Sequence, residues 1–181
     1  MNPSFQFAAL SSCLFLAAIG CRTAPKSVEG KADLTASASM AVSRAEAADP
    51  TITKAIREAA GHAVFPSVGK AAVGVGGAYG KGVLYEGRTI VGYCDITQGS
   101  IGIQLGGQAY TEILVFQSGE ALARFKTGNF AFDAQATAVA LKSGTAANAN
   151  YSRGVAVFTL DESGLMFEAS VGGQKFSYQP K

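Results

Sequence analysis

The sequence predicts an α+β fold, with N-terminal helices packed on a curved, barrel-like antiparallel β-sheet and one short inserted helix. Apolar residues recur at helical spacing before residue 64. From Lys70 onward, short β-rich runs are separated by Gly or Asn at intervals of roughly eight to twelve residues. The 181 residues are 48% hydrophobic and 15% charged, which provides enough apolar surface for a core in one domain with an extension.

The first segment, residues 1–20, is expected to be a signal peptide. It contains no Asp, Glu, Lys or Arg, and its apolar run is shorter than the ~20 residues that a spanning helix needs. The ending Ala18-Ile19-Gly20-Cys21 resembles a bacterial lipobox, although the usual Leu at its first position and the usual basic residue near the start are missing. An ordinary signal peptide that is cut elsewhere, with Cys21 incidental, is the alternative.

Lipidation of Cys21 would determine where the protein is found. Acyl chains on its sulfur would hold the protein on a membrane without a spanning helix. Arg22 follows the cysteine at the position where an inner-membrane retention signal usually has Asp. We therefore expect a lipid-anchored protein on the periplasmic face of the outer membrane, with residues 21–31 as the lipidated tether.

Two helices are predicted after the tether. The region Ala32–Ala48 has an apolar stripe at near-helical spacing, formed by Leu34, Ala38, Ala41, Val42 and Ala45. Asp49 and Pro50 favour the start of a second helix, as its cap and first residue. This helix is expected to end near Val64, because Pro66 disfavours helical geometry at the preceding residue.

The rest of the chain is predicted to form short strands, with one helix at Gly119–Lys126 that Ser118 caps and Gly128 ends. Glycines inside these runs favour bending or close packing of a small barrel. The predicted strands are Ala71–Val75, Gly82–Tyr85, Thr89–Thr97, Ser100–Leu105, Tyr110–Gln117, Phe130–Leu141, Val155–Leu160, Leu165–Val171 and Lys175–Tyr178.

Composition and motifs exclude several functions. A formal net charge of +2 does not suit an electrostatic nucleic-acid binder. The single histidine, His62, excludes sites that need two imidazoles, including most catalytic zinc sites. The glycine-rich stretch Gly74–Gly82 matches neither the phosphate-loop nor the dinucleotide spacing, so we interpret it as a turn or barrel corner. We expect no enzyme activity, cofactor, metal, nucleotide or nucleic acid.

Three single residues have alternative interpretations. Cys94 lies in an apolar run and is either a buried small side chain or, less simply, a reactive nucleophile. His62 falls on the flank of the predicted second helix, as a hydrogen-bonded or solvated residue or as a general base. Glu112 shares strand parity with Tyr110 and Leu114, so it either points into an apolar layer with a raised pKa or pairs at a sheet edge.

Several long motifs occur in order along the chain: Ala63-Val-Phe-Pro-Ser-Val-Gly-Lys70, Gly74-Val-Gly-Gly-Ala-Tyr-Gly-Lys-Gly-Val83, Gly99-Ser-Ile-Gly-Ile-Gln-Leu-Gly-Gly-Gln-Ala-Tyr110, Phe116 with Ala121-Leu-Ala-Arg-Phe125, and Ser170-Val-Gly-Gly-Gln-Lys-Phe-Ser-Tyr178. They resemble the SYLF-domain family, which includes a yeast actin-binding protein and many bacterial lipoproteins. The resemblance covers the predicted domain 32–181.

The resemblance implies a non-enzymatic lipid-binding module, since the family is associated with membrane lipids, and in eukaryotes with phosphoinositides. A periplasmic protein would meet neither phosphoinositides nor actin. Membrane lipids with anionic headgroups, either phospholipid or lipid A, are therefore the expected partners. The family gives no agreed list of contact residues.

The candidate headgroup residues are Lys70, Lys81 and Arg88, which bracket the glycine-rich stretch. Each would contribute ~1 kcal/mol near an anionic surface, although a solvated loop face is the simpler interpretation of any one of them. A second hypothesis is a structural or interaction protein of the cell envelope that binds a partner or self-associates. Its contact residues would be Tyr79, Tyr85 and Tyr110, because aromatic residues are enriched at interfaces.

Overall fold

The computed structural model describes residues 25, 27–73, 75–101, 106–128, 130–133, 138–160 and 173–181. The predicted signal peptide 1–20, Cys21 and the predicted strand Leu165–Val171 lie outside these residues. Helix α1 covers Val28–Ala48 and helix α2 covers Ile52–Glu58. α1 begins inside the predicted tether, because the hydroxyl of Ser27 accepts a hydrogen bond from Gly30 N at 3.0 Å and caps the helix there.

An eight-stranded sheet follows the two helices. Helix α3 covers Gly119–Lys126, and a single 3-10 turn covers Ala146–Asn148. The strands are β1 Gly61–Val73, β2 Val75–Glu86, β3 Thr89–Ile101, β4 Gly106–Phe116, β5 Phe130–Asp133, β6 Ala138–Ala140, β7 Val155–Leu160 and β8 Gly173–Pro180.

The strand order is β5-β8-β3-β2-β1-β4-β7-β6. All neighbouring pairs are antiparallel except β6 and β7, which are parallel. The sheet curls into a half-barrel. Gln174 of β8 donates a hydrogen bond to Glu112 of β4 at 2.9 Å, although these strands would be about 19 Å apart in a flat sheet. This fold confirms the predicted α+β class, with helices on a curved sheet.

Each face of the sheet carries a cluster of buried apolar residues. Neighbouring residues along a strand point to opposite sides, so one strand can contribute to both clusters. The inner face is the concave side, where Phe65, Leu114 and Phe176 pack with α3. The outer face is the opposite side, where Val64 and Ile113 pack with α1 and α2. Helix α1 contacts the outer face through Ala38, Ala41 and Ala45, all fully buried, which confirms the predicted apolar stripe.

Helix α3 anchors the inner face, and its predicted bounds are confirmed. The hydroxyl of Ser118 accepts from Ala121 N at 3.3 Å, and Leu122 and Phe125 are buried. The ring of Phe125 lies 4.9 Å from that of Phe116 and 5.5 Å from that of Phe176. Rings supplied by three different elements therefore fill the concave side.

The glycine-rich stretch is part of a strand rather than a turn, which corrects the prediction. β2 begins at Val75 and pairs with β1 up to the hairpin. A Cβ atom at Gly82 would lie 2.6 Å from the ring of Phe65, so only glycine allows the two strands to pack here. In this stretch glycine serves the close packing of two strands.

The second helix is shorter than predicted, because it ends at Glu58 and β1 begins at Gly61. Asp49 is also not its cap: the N-cap is Thr51, which makes no side-chain capping bond. The carboxylate of Asp49 is instead fully buried. It accepts hydrogen bonds from Thr51, Gly144, Thr145 and Ala146, and so ties the connection between the helices to the 3-10 turn.

The predicted strand Phe130–Leu141 is two strands. Its first part, β5, pairs with β8, and its last part, β6, pairs with β7 at the opposite edge of the sheet. The predicted strand Thr89–Thr97 continues to Ile101 as β3, and β4 begins at Gly106. Residues 102–105 of the predicted strand Ser100–Leu105 lie outside the described residues.

Candidate functional site

A groove of about 960 Å³ lies between α1 and the β1–β2 hairpin on the outer face. We call it the α1 groove. Small contacts through alanines hold one side of α1 against the sheet, and the groove opens beside that contact. The side chains that give it its character are Leu34, Met40, Arg44, Ser67, Tyr79 and Lys81.

The α1 groove exposes apolar surface. Met40 is 62% exposed and Tyr79 is 39% exposed. Only one other large apolar side chain, Val28, is exposed in the described part of the chain. The exposed apolar side chains are therefore concentrated in this groove, and a concentrated apolar patch is typical of a binding surface rather than of scattered surface residues.

Two cationic side chains lie in the same groove. Arg44 projects from α1 and donates a hydrogen bond from Nη2 to Thr111 Oγ1 at 3.0 Å. Thr111 in turn donates to the carbonyl of Pro66 at 3.0 Å, so this chain of bonds fixes the guanidinium over the strand. Lys81 lies on β2, in register with Ser67 on one side and Asp95 on the other.

A buried carboxylate holds the hydroxyl group of Tyr79 in position. The hydroxyl of Tyr79 donates to Asp95 Oδ1 at 3.0 Å, and Ser177 Oγ donates to Asp95 Oδ2 at 3.1 Å. Asp95 is buried, and it joins β2 to β8 across β3. The ring of Tyr79 is thus positioned by its hydroxyl, while its apolar edge remains open to the groove.

The predicted headgroup residues do not all come together. Lys81 lines the α1 groove. Lys70 lies in β1, in register with Ala78 and Gln108, and its side chain is outside the described part of the structure. Arg88 is exposed at the β2–β3 turn, seven residues along the chain from Lys81 and so about 20 Å away at the rise of a strand.

Sequence reasoning missed Arg44 and Met40. Both lie on the predicted helix but outside its apolar stripe, and they are spaced four residues apart. That spacing places them on one helix face, next to Leu34 and the stripe. An exposed methionine beside an arginine on the edge of a buried alanine stripe was the available signal.

The tyrosines proposed for the alternative function differ in exposure. Tyr79 is exposed, whereas Tyr110 is only 4% exposed and belongs to the inner core. Tyr85 is half-buried and stacks on His62 with a centroid separation of 4.8 Å. Tyr110 is therefore unsuitable as a contact residue, and of the three only Tyr79 presents an exposed ring.

His62 lies in β1 rather than on a helix, which corrects the prediction. It is buried, because β1 begins before the predicted helix end. Burial lowers its pKa from 6.5 to about 4, since a desolvated imidazolium is disfavoured. The ring is neutral near pH 7 and sits against Tyr85, as part of the packing between α2 and the sheet.

Cys94 and Glu112 both lie on the inner face. Cys94 is a free, buried thiol, and burial, then the nearby charge of Asp95, raises its pKa well above the ordinary value, so it is a packing residue rather than a nucleophile. Glu112 is fully buried and accepts a hydrogen bond from Gln174. It belongs to an inner polar cluster with Gln98, Thr159 and Gln174, all buried. Of the two alternatives for Glu112, the structure therefore shows the buried position in the inner layer.

No group of three or more His, Cys, Asp and Glu residues in the described ranges is arranged to hold a metal ion. Among the helices in the same ranges, none is long and apolar enough to cross a membrane.

Comparison with known proteins supports the family resemblance. Residues 97–180 match the family model described as "Ysc84: Las17-binding protein actin regulator". This description names binding and regulation rather than catalysis. No curated protein matches the chain.

The matched range contains three of the motifs that suggested the family, at Gly99–Tyr110, Phe116–Phe125 and Ser170–Tyr178. The motifs at Ala63–Lys70 and Gly74–Val83 precede it. The matched range begins near the end of β3. It includes β4, α3 and the strands that follow, which contribute residues to the inner core. Over residues 97–180 the chain is similar to the SYLF-domain family, in agreement with the resemblance of its motifs.

Proposed function

We propose that this protein is a non-enzymatic lipid-binding lipoprotein whose α1 groove holds anionic phospholipid or lipid A headgroups. The observation that carries the proposal is the combination, in one groove, of exposed apolar side chains with two cationic ones. The family match supports a binding role in general terms. It does not specify the ligand, so the ligand chemistry is inferred from the groove.

The side chains of the groove suit an amphiphile. Lys81 and Arg44 would meet the phosphate, Lys as a point charge and Arg through its planar fork of donors. Met40, Leu34 and Tyr79 would contact the glycerol and upper acyl region. A phosphate free of any apolar part would leave these three side chains unused, and a lipid without net negative charge would be attracted less to Lys81 and Arg44.

The charges also set the expected strength. Each cation near an anionic membrane surface contributes ~1 kcal/mol, so the groove alone gives weak and salt-sensitive binding. Arg44 is already positioned through Thr111, and less conformational entropy is therefore lost on binding. Arg88 and Lys70 are proposed only as peripheral contacts.

An acyl anchor at Cys21 would make weak headgroup contacts sufficient. A tethered domain stays close to the headgroups, which raises their effective concentration at the groove. We therefore propose that Cys21 carries a thioether-linked diacylglycerol and that the protein resides on the periplasmic face of the outer membrane. The lipobox-like ending Ala18–Cys21 is what supports this placement.

Vesicle flotation of the Cys21→Ser chain tests the groove without the anchor. We expect binding to phosphatidylglycerol vesicles at low salt, little binding to phosphatidylcholine vesicles, and release as salt rises. The double variant Lys81→Gln/Arg44→Gln should bind about thirtyfold more weakly, since two contacts of ~1 kcal/mol each are lost. The control Lys54→Gln/Arg57→Gln removes the same charge from α2 and should bind nearly as the parent does.

Two results would refute the headgroup proposal. One is equal binding to anionic and neutral vesicles. The other is equal loss of binding in the groove variant and the α2 control. A stable oligomer of the Cys21→Ser chain by light scattering, indifferent to lipid, would favour the alternative of a structural or interaction protein.

The anchor is tested separately by the intact mass of the mature protein. A mass corresponding to an N-terminal Cys21 with diacylglycerol and an N-acyl chain is expected. A free thiol at Cys21, or an N-terminus elsewhere, would refute the lipoprotein assignment and leave the groove proposal standing.

A further inference from the structure

A second concave site lies beside α3, on a different part of the molecule from the α1 groove. It has a volume of about 440 Å³ and is lined by Arg124, Thr127, Phe130, Ala131 and Arg153. We call it the Arg153 notch. α3 packs on the inner face and α1 on the outer face, so the two sites are formed by helices on opposite sides of the sheet.

The backbone of Arg153 is in an unusual conformation. Its φ of 49° makes it the one non-glycine residue with positive φ among the described residues, and Gly154 follows with φ of 78°. Ser152 and Val155 exchange both backbone hydrogen bonds, at 2.9 and 3.0 Å. This geometry is that of a two-residue hairpin turn, in which the first central position strongly favours Asn, Asp or Gly.

Arginine is therefore a poor choice for the turn alone. A left-handed backbone strains a side chain of this kind, whereas Asn at the same position would be accommodated. Strained residues of this type concentrate at binding sites, where the strain is retained because the side chain has another role. The position of Arg153 in a cationic notch suggests that role.

Arg124 shapes the notch from the helix. Its Nη1 pairs with Glu120 Oε1 at 3.0 Å, and its Nη2 donates to the carbonyl oxygen of Arg153. These bonds attach α3 to the turn and place both guanidinium groups at one opening. The Arg153 guanidinium itself makes no hydrogen bond or ion pair within the described residues, so its donors are available to a ligand.

We propose that the Arg153 notch binds a phosphate group. Arginine forms bidentate, charge-assisted hydrogen bonds with phosphate, Arg124 adds a second positive charge at the rim, and the ring of Phe130 forms an apolar wall. The phosphate belongs either to a soluble phosphate or phosphate ester or to a lipid headgroup. The proposal does not depend on the α1 groove.

The test uses Arg153→Asn in the full chain. Because Asn is accommodated in this turn, the variant should unfold at a higher denaturant concentration than the parent, and loss of binding cannot then be attributed to unfolding. Inorganic phosphate is titrated against chloride at constant ionic strength, and the side-chain Nε–Hε signals of Arg124 and Arg153 are followed by NMR. Saturable shifts of both signals are expected in the parent.

Phosphate affinity should fall about tenfold in Arg153→Asn, as expected for the loss of a charge-assisted contact. The control Lys142→Asn removes an exposed cation from another turn and should change the affinity less than about twofold, because distant charges are screened. A second arm measures binding to phosphatidylglycerol vesicles. Weaker vesicle binding by Arg153→Asn identifies a lipid source, whereas unchanged vesicle binding with lost phosphate binding identifies a soluble one.

The proposal is overturned if phosphate produces no saturable shift in the parent. It is equally overturned if the parent and Arg153→Asn bind phosphate with the same affinity.

Discussion

The inner face of the sheet is filled by aromatic rings, whereas the outer face is covered by a helix that contacts it through alanines. On the inner face Phe65, Phe116 and Phe125 are fully buried. On the outer face the methyl groups of Ala38, Ala41 and Ala45 make the contact, and the flank of α1 leaves a groove beside them. Rings from several elements fill the inner face, whereas the narrow alanine contact on the outer face leaves room for a ligand.

The two faces also treat buried polar groups differently. Asp49, at the end of α1, accepts hydrogen bonds from four residues. Among the described residues the inner polar cluster is less completely satisfied, since both amide atoms of Gln98 and the Oε1 atom of Gln174 are buried there without a hydrogen-bond partner. We infer that the inner face contributes most of the apolar stabilisation and that the outer face combines local stability with binding.

The largest effect is expected from Phe125→Ala. Phe125 contacts three rings, those of Phe116, Phe130 and Phe176, and its removal leaves a cavity on the inner face. The free energy of unfolding should fall by about 4 kcal/mol, measured by urea denaturation. A loss below about 1 kcal/mol would contradict the dominant role of the inner face, and Phe125→Leu is the milder control.

The next largest effect is expected from Asp49→Ala. The substitution leaves the backbone N–H groups of Thr51, Gly144 and Ala146 without their acceptor, and we expect a loss of about 3 kcal/mol. Asp49→Asn keeps one acceptor oxygen and should lose less. Denaturant unfolding of both variants measures the difference. Equal stability of Asp49→Ala and the parent would show that this network does not stabilise the outer face.

Acid pH should lower the free energy of unfolding through His62 on the outer face. Its pKa is about 4 in the folded protein and 6.5 for the unperturbed group, so the unfolded chain binds a proton more readily. Stability is therefore full above pH 6.5 and falls as pH drops toward 4, by about 3 kcal/mol at most. Unfolding free energies measured between pH 7 and 4 should show this slope, and His62→Phe should remove most of it.

A further acid effect comes from Asp49, at lower pH. Burial raises the pKa of its carboxyl, but hydrogen bonds from Thr51, Ala146 and Gly144 lower it more, well below its ordinary value of 3.8. The native state therefore favours the ionised form, and this contribution is present above that value and lost as pH falls below it. Any remaining slope below pH 4 in the His62→Phe variant should disappear in the further variant Asp49→Ala.

The smallest effect on stability is expected from Met40→Ala. Its side chain is 62% exposed, so the free energy of unfolding should change by less than about 0.5 kcal/mol. Binding to phosphatidylglycerol vesicles should nevertheless weaken, because Met40 supplies apolar surface to the groove. A large loss of stability without a change in vesicle binding would reverse the roles assigned to the two faces.

Local patterns predicted much of the fold. The alanine stripe of α1 and the cap, apolar face and terminating glycine of α3 each depend on residues close together in sequence. The boundary between α2 and β1 was missed, because the alanines and small apolar residues before Phe65 fit either periodicity. Pro66 predicted the end of a helix, but it lies in β1 where the pairing register shifts, and such irregular positions tolerate proline.

Long-range pairing explains the remaining differences. No local pattern indicates that β5 and β6 lie at opposite edges of the sheet, or that Glu112 meets Gln174 across the concave side. The groove between α1 and the sheet was not predicted, for the same reason. Lys81 stands beside a conspicuous glycine-rich stretch, whereas Arg44 becomes part of the site only when α1 packs across β1 and β2.

A fluorescent reporter in the α1 groove tests whether lipid binds there. The chain contains no tryptophan, so Met40→Trp in the Cys21→Ser chain gives a single fluorophore there. Val28→Trp gives a matched control on the same helix, since Val28 is 85% exposed and is not among the groove-lining residues. Emission is recorded while phosphatidylglycerol or phosphatidylcholine vesicles are added at low salt.

For Met40→Trp we expect a blue shift and quenching by brominated acyl chains with phosphatidylglycerol and little change with phosphatidylcholine. Val28→Trp should respond less. Unchanged Met40→Trp emission while the protein still floats with anionic vesicles would contradict this expectation, because lipid would then bind outside the groove.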